Sequence, residues 1–415
     1  MKKVLLYSPD LIGHPRVYCR AIADAMADAP RGLVIALGIS KEATLDDSPD
    51  LQPLASRNRV QLVDTRDHSQ TGQPHLSAEE LRGLQDHYDI DTTLFIEADK
   101  SHAEFLRIAE NKAPPLRGRN IGIFAKTAEW YPGEDSFTGE RKSLLAPTIR
   151  TTLGNLKRAV FNRRQHARYF FENAILGRHV LDEIFVKDER LASWHGAPVY
   201  WMPEISRPAP CPETPEESAD FCLRQTELSA FLAANAGREP ALYFGDAAFY
   251  KGYDLFLELL ASTPSTCGIH PGRTYNAEQR SYFRSDVDTL RKQLLEEGRL
   301  YETNAYVHTQ RLKELFFGSI RVYVTTHRLA LSSSTVIQAL EMGKPVLVPD
   351  RGLLGHRVRT NHLGGVYRYE DLADLKRQAS KLWKCQLDEF AEPIKRFWDQ
   401  FSDRAIKTFF VEHLC

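Results

Sequence analysis

Val322-Tyr323-Val324-Thr325-Thr326-His327-Arg328-Leu329-Ala330-Leu331-Ser332-Ser333-Ser334-Thr335-Val336-Ile337-Gln338-Ala339-Leu340-Glu341-Met342-Gly343-Lys344-Pro345-Val346 carries a structural signal at every boundary. The apolar run at 321–324 reads as a buried strand, and a cluster of serines precedes a helical pattern at 335–342. The serines suit an N-cap, Gly343 suits the position after the helix, and Pro345 prevents its continuation. A second apolar run follows at 346–348. A helix between two apolar strands is the unit of a parallel sheet covered on both faces. The hydroxyl-rich helix start also offers oriented amide groups, enough to hold a phosphate without a metal. Read from residues alone, a plain serine-rich cap without a ligand stays open.

The same alternation extends in both directions. Runs at 3–8, 32–37, 60–63, 93–96 and 121–124 read as strands, with helical patterns at 16–27, 77–87 and 102–111 between them. The pattern resumes at 183–186 and 199–202. The segment 207–217, with Pro208, Pro210, Pro212 and Pro215, reads as a linker. A second α/β series then runs from 241 to 348, and 369–414 is helix-rich. These limits predict a Rossmann-like domain over 1–206, a linker or insert over 207–239, a second Rossmann-like domain over 240–385, and C-terminal helices over 386–415 that cross back to the first domain.

The chain has 415 residues, and Lys+Arg (54) nearly balance Asp+Glu (55), which speaks against a protein that coats nucleic acid. At 42% hydrophobic residues it is too apolar for disorder, and no run approaches the ~18 apolar residues of a membrane span. The six scattered cysteines form no CxxC pair, which fits a reducing cytoplasm better than a disulfide framework. GxGxxG, the P-loop and HExxH are all missing.

Two further strand-to-helix junctions suit an anionic ligand. At 8–16, Gly13 permits a tight approach and Pro15 suits a helix start just after His14. At 243–254, a strand end at Gly245 is followed by Lys251 and Gly252, and a lysine there can neutralise a diphosphate as a point charge. Each reads equally as a plain turn. On the runs at 244–261 and 332–349, and on Asn361-His362-Leu363-Gly364-Gly365, residues 240–370 resemble the C-terminal half of retaining GT-B glycosyltransferases of the family 4 type. The first half matches only through its opening strand, Gly13 loop and helix.

The resemblance implies an α/β chain of GT-B architecture, with two Rossmann-like domains facing each other across a cleft. It implies a nucleotide-diphosphate sugar as donor, retention of configuration, and no metal or cofactor. Carried over by position, Lys251 contacts the diphosphate, and Ser333, Ser334 and Thr335 cap it with the helix start. Gln338 faces the ribose, and main chain at 305–307, with Tyr306, lies beside the base. Gly13 and Gly245 permit close approach. His14, Lys126, Glu129 and Trp130 are candidates on the acceptor side, with His14 and Glu129 also named as catalytic beside Lys251. Two departures stand out. Asp246 occupies the place of a phosphate-binding arginine, with Arg328 or Arg273 as the expected replacement charge. Ala330 and Gln338 occupy the places of paired glutamates.

Between Arg141 and Arg168 lie eight basic residues and no acidic one, with apolar residues at near-helical spacing. Such a run rests on an anionic membrane or receives a polyanion, or it is a solvated face. The expected activity is therefore transfer of a sugar to a glycan, lipid-linked or small-molecule acceptor, in the cytoplasm or at its membrane surface, without nucleic acid as partner. A catalytically silent GT-B partner subunit and a nucleotide-sugar epimerase are the alternatives.

Overall fold

The computed structural model describes residues 3–9, 14–28, 32–38, 54, 59–124, 180–192, 198–205, 214–283, 286–307, 309–328 and 332–415. By packing, the described residues up to 205 and from 400 onward form one unit, and 214–399 form another.

In the first unit, β1 (Lys3–Ser8), β2 (Gly32–Leu37), β3 (Val60–Asp64), β4 (Ile90–Phe95), β5 (Arg119–Phe124), β6 (Glu183–Val186) and β7 (Val199–Trp201) form one sheet. Its order is β3-β2-β1-β4-β5-β6-β7, with every pair parallel. All four side chains from Val4 to Tyr7 are 0% exposed, so β1 is covered on both faces. Val4 and Leu6 pack with Tyr18, Ile22 and Met26, on and just beyond α1 (His14–Ala25). Leu5 and Tyr7 point the other way, toward Leu81 and Leu84 of α2 (Ala78–Tyr88) and Phe105 of α3 (His102–Ala109). This two-sided burial is why the strands read as unbroken apolar runs. Ser77 starts α2 with a capping box: its hydroxyl accepts from Glu80 N–H, and the Glu80 carboxylate accepts from Ser77 N–H.

In the second unit, β8 (Glu239–Leu242), β9 (Thr266–His270) and β10 (Leu300–Glu302) are ordered β10-β9-β8. A separate ladder of β11 (Tyr323–Val324), β12 (Val346–Pro349) and β13 (Gly364–Tyr367) is ordered β11-β12-β13. β8 lies beside β11, so the two ladders together repeat the strand order of the first unit. The helices are α4 (Pro215–Ala234), α5 (Tyr253–Ala261), α6 (Ala277–Arg280), α7 (Val287–Glu296), α8 (Gln310–Gly318), α9 (Ser334–Glu341), α10 (Gly352–Asn361), α11 (Leu372–Lys384) and α12 (Ala391–Trp398). α5 is the most deeply embedded, with Phe256, Leu257, Leu259 and Leu260 all 0% exposed.

Two expected limits change. Residues 214–234 are a capped helix and not linker: Thr214 and Glu217 form a capping box, and Pro215 stands in the first turn, where its missing N–H costs nothing. α12 packs on α9 and α10 inside the second unit. The chain rejoins the first unit only from residue 400, where α13 (Asp403–Leu414) lays Ile406, Phe410 and Leu414 into the apolar layer under α1.

Candidate functional site

In the second unit the strand order reverses between β8 and β11. In doubly wound α/β sheets, ligands bind beyond the carboxyl ends of the strands at such a reversal. The residues following β8 and β11 are those singled out in the sequence.

Beyond β8 the chain turns at Gly245, whose φ of +93° favours glycine. A Cβ there would lie 2.9 Å from the Lys251 Nζ, so the ammonium rests against the open face of the turn. Gly272 approaches from the β9 side so closely that its Cβ would fall 2.2 Å from the Gly245 carbonyl oxygen. Lys251 ends a single 3-10 turn, Phe249–Lys251, closed by Gly252 in the left-handed region. Burial pushes the lysine pKa below its ordinary value, and the Asp246 charge partly restores it.

Asp246 is not a bare acid. Arg273 reaches it with Nη2 at 2.6 Å from Oδ2 and Nε at 3.1 Å from Oδ1. These bonds from Arg273 hold the carboxyl below its usual range against the opposing effect of burial. The same guanidinium stands 5.7 Å from the ring of Tyr306, which is 63% exposed. Of the two expected replacement charges, Arg273 therefore does meet Asp246, at the rim that carries Tyr306.

Arg328 is corrected by the structure. Its side chain is 6% exposed and gripped by Asp254, at 2.7 and 2.9 Å, and by Glu370, at 2.8 Å. A guanidinium so occupied does not face a ligand.

Beyond β11, Ser333 occupies the N-cap of α9, but its hydroxyl caps no amide. It pairs instead with Thr335 Oγ1 at 2.9 Å, which also accepts from Tyr323 OH at 3.0 Å. The expected serine cap is thus a hydroxyl chain: among the described residues the N-cap side chain holds none of the first amides of α9, and a helix start in that state suits an anion. Gly343 takes the left-handed conformation expected after the helix, with φ +69°. Gln338, expected at the ribose, is buried, as are all residues from Val336 to Leu340. His327 has its Nδ1 against Thr325 Oγ1, and burial together with the Lys251 charge pushes its pKa down to about 3, so the ring is neutral.

One buried network had no local signal in the sequence. His270, 0% exposed, sets Nε2 3.1 Å from the Gly245 carbonyl oxygen and Nδ1 3.0 Å from the Glu302 carboxylate. Glu302 also accepts from Tyr253 OH at 2.6 Å and from Arg291 Nε at 2.8 Å. Burial raises the Glu302 carboxyl, but the bonds from His270, Arg291 and Tyr253 outweigh it and bring it down to about 2. The turn at Gly245 thus rests on a buried ionic network drawn from four elements.

His14 opens α1. Gly13, Lys126, Glu129 and Trp130, and the basic run from Arg141 to Arg168, lie outside the described residues. Among the described residues no group of three His, Cys, Asp or Glu is placed to hold a metal ion, and no helix is long and apolar enough to cross a membrane.

No family model and no curated protein matches the sequence. Solved structures do match along its full length. The sucrose-phosphate synthase of Thermosynechococcus elongatus aligns with a TM-score of 0.63 at 14% identity, over 99% of this chain and 98% of its own. HepE of Anabaena, solved in complex with UDP and glucose, aligns at 0.60 and 13%, over 100% and 99%. A glycosyltransferase of Rickettsia africae aligns at 0.61 and 10%, over 99% and 97%. The fold shared with these proteins is GT-B, and this chain has that fold.

Proposed function

We propose that the chain transfers a sugar from a nucleotide-diphosphate sugar to an acceptor hydroxyl, with retention of configuration and without a metal. One observation carries this reading: the Lys251 ammonium and the uncapped amides of α9 stand beyond the ends of neighbouring strands where the sheet reverses. A cation and a helix start together favour a diphosphate, and the positive charge they supply is what a metal would otherwise bring. Exposed Tyr306, beside Arg273, suits the nucleoside base. Solved structures of similar fold contain UDP and glucose, which makes UDP the first nucleotide to try.

In this mechanism the sugar–oxygen bond to the diphosphate breaks while the acceptor oxygen bonds to the same face of the sugar. The acceptor proton passes to the departing diphosphate oxygen, so no protein base is required. Lys251 and the α9 amides stabilise the charge that grows on the leaving group. His14, Lys126, Glu129 and Trp130 serve the acceptor or the transferred sugar, and a glycan, lipid-linked or small hydroxyl compound accepts. The run from Arg141 to Arg168 gives the protein, placed in the cytoplasm, a contact with anionic membrane. Neither nucleic acid nor a bound cofactor enters this reading.

Calorimetry with UDP, GDP, TDP and ADP tests the donor assignment, and no heat with any of them at millimolar concentration overturns it. Lys251→Ala should weaken the best nucleotide by about tenfold or more, the scale of a lost charge-assisted bond. A second reading, a silent partner subunit, is favoured by the burial of Gln338 and by Ala330 where the resemblance implies a glutamate. Nucleotide binding without hydrolysis or transfer of any nucleotide sugar would select it. Sugar released in epimerised form without an acceptor would select an epimerase.

A further inference from the structure

The enclosure of Arg328 rules it out as a ligand but leaves a question: what does so much hydrogen bonding hold in place? Its Nη1 donates to the Phe249 carbonyl at 2.7 Å as well as to Asp254, and its guanidinium stacks 4.1 Å from the Phe249 ring. Its backbone N–H donates to the Tyr250 carbonyl at 2.8 Å. Two residues earlier, Thr326 Oγ1 donates to the carbonyls of Lys251, at 3.1 Å, and Gly252, at 2.9 Å. A Cβ on Gly252 would fall 2.0 Å from the Thr326 carbonyl oxygen, so the two loops touch backbone to backbone. Every carbonyl from Phe249 to Gly252 is therefore bonded to Thr326 or Arg328.

The first of these loops presents Lys251, and the second leads from β11 to the start of α9. Asp254 is fixed on α5, and Glu370 follows β13, so the guanidinium also ties both loops to the body of the unit. We propose that Arg328 is a positioning residue: a buried clamp that fixes the Lys251 turn relative to the loop entering α9, so that ammonium and helix tip meet the same diphosphate. The purpose assigned to the clamp rests on the donor reading above; the clamp itself rests on these contacts alone. The planar fork is what the role requires. It engages Asp254 with two nitrogens while a third reaches Glu370, and a lysine ammonium at the same place cannot span both.

Two measurements on the full chain test this. Hydrogen exchange reads the clamp without a ligand: Arg328→Gln should speed exchange at the amides of Lys251 and Gly252 and leave α7 unchanged. Arg328→Lys should restore only part of the protection. Glu370→Gln, which removes the partly exposed partner, should act in the same direction more weakly, and it serves if Arg328→Gln does not fold. Unchanged exchange at 251–252 in the folded variants overturns the clamp. Calorimetry with UDP, or with whichever of the four nucleotides binds best, reads its purpose. Arg328→Gln should lose about tenfold in affinity, yet add nothing further on a Lys251→Ala background, because it acts through that residue. Losses that multiply overturn the positioning role. If wild type binds none of the nucleotides, the donor reading fails while exchange still decides the clamp.

Discussion

The two units share a strand order but differ where that order reverses. In the first, β1 and β4 are joined by a parallel ladder with one register shift, at Lys3–Val4, and β1 is apolar on both faces. In the second, β8 and β11 lie side by side in separate ladders, and β11 is only two residues long. There one main-chain bond, from Arg328 N–H to the Tyr250 carbonyl, is joined by side chains: Arg328 with Asp254 and Glu370, Thr326 with Gly252, and His270 with Glu302 behind Gly245. One reversal is held by apolar burial and main-chain bonds, the other by buried charge. A sheet that parts at the reversal leaves backbone at the carboxyl ends free to meet a ligand, and fixed charges then set its shape.

The sharpest way to break the comparison is to remove one charge. Glu302→Leu should destabilise by about 3 kcal/mol, because it leaves the fully buried His270 without its partner and takes the carboxylate from partly exposed Arg291. Leu6→Ala in the first unit should cost about 3 kcal/mol through its cavity. The pH response separates them. The Glu302 carboxyl is held at about 2, below an ordinary value of 4.5, so its contribution is complete above 4.5 and fades as pH falls toward 2. In urea unfolding the gap between wild type and Glu302→Leu should therefore narrow across that window, while the gap for Leu6→Ala stays constant.

A smaller effect concerns the rim. Asp246→Asn should strengthen nucleotide binding by roughly fivefold at low salt, since a negative charge near the diphosphate opposes it by on the order of 1 kcal/mol. Calorimetry checks this, and weaker binding would mean that Asp246 matters chiefly by aiming Arg273. The smallest effect contrasts two serines at helix starts. Ser77→Ala should cost about 1 kcal/mol of stability, and Ser333→Ala only a few tenths, because only Ser77 caps an amide. Urea midpoints for the pair settle it.

Much of the fold was legible because burial on both faces leaves a plain mark. The runs at 3–8, 32–37 and 183–186 coincide with β1, β2 and β6 residue for residue. The start of α4 was masked by neighbouring prolines, although Thr214, Pro215 and Glu217 spell a helix start. β10, with half-buried Tyr301 and Glu302 in its three residues, has no apolar run to read. At the site, Lys251, Gly245 and the α9 start were legible because each sits at a strand-to-helix punctuation mark. The role of Arg328 was not, because Asp254 and Glu370 lie 74 and 42 residues away and only the fold brings them together. The network of His270, Glu302, Tyr253 and Arg291 was hidden for the same reason.

The return of α13 to the first unit sets an order on biosynthesis. Tyr18, Ile22 and their neighbours are made early, but the side chains that close over them, Ile406, Phe410 and Leu414, come after the whole of 214–399. At ordinary translation rates of about 5–20 residues per second, the side chains of α1 wait roughly twenty to eighty seconds for that cover. The half of the protein that emerges first is thus the half completed last.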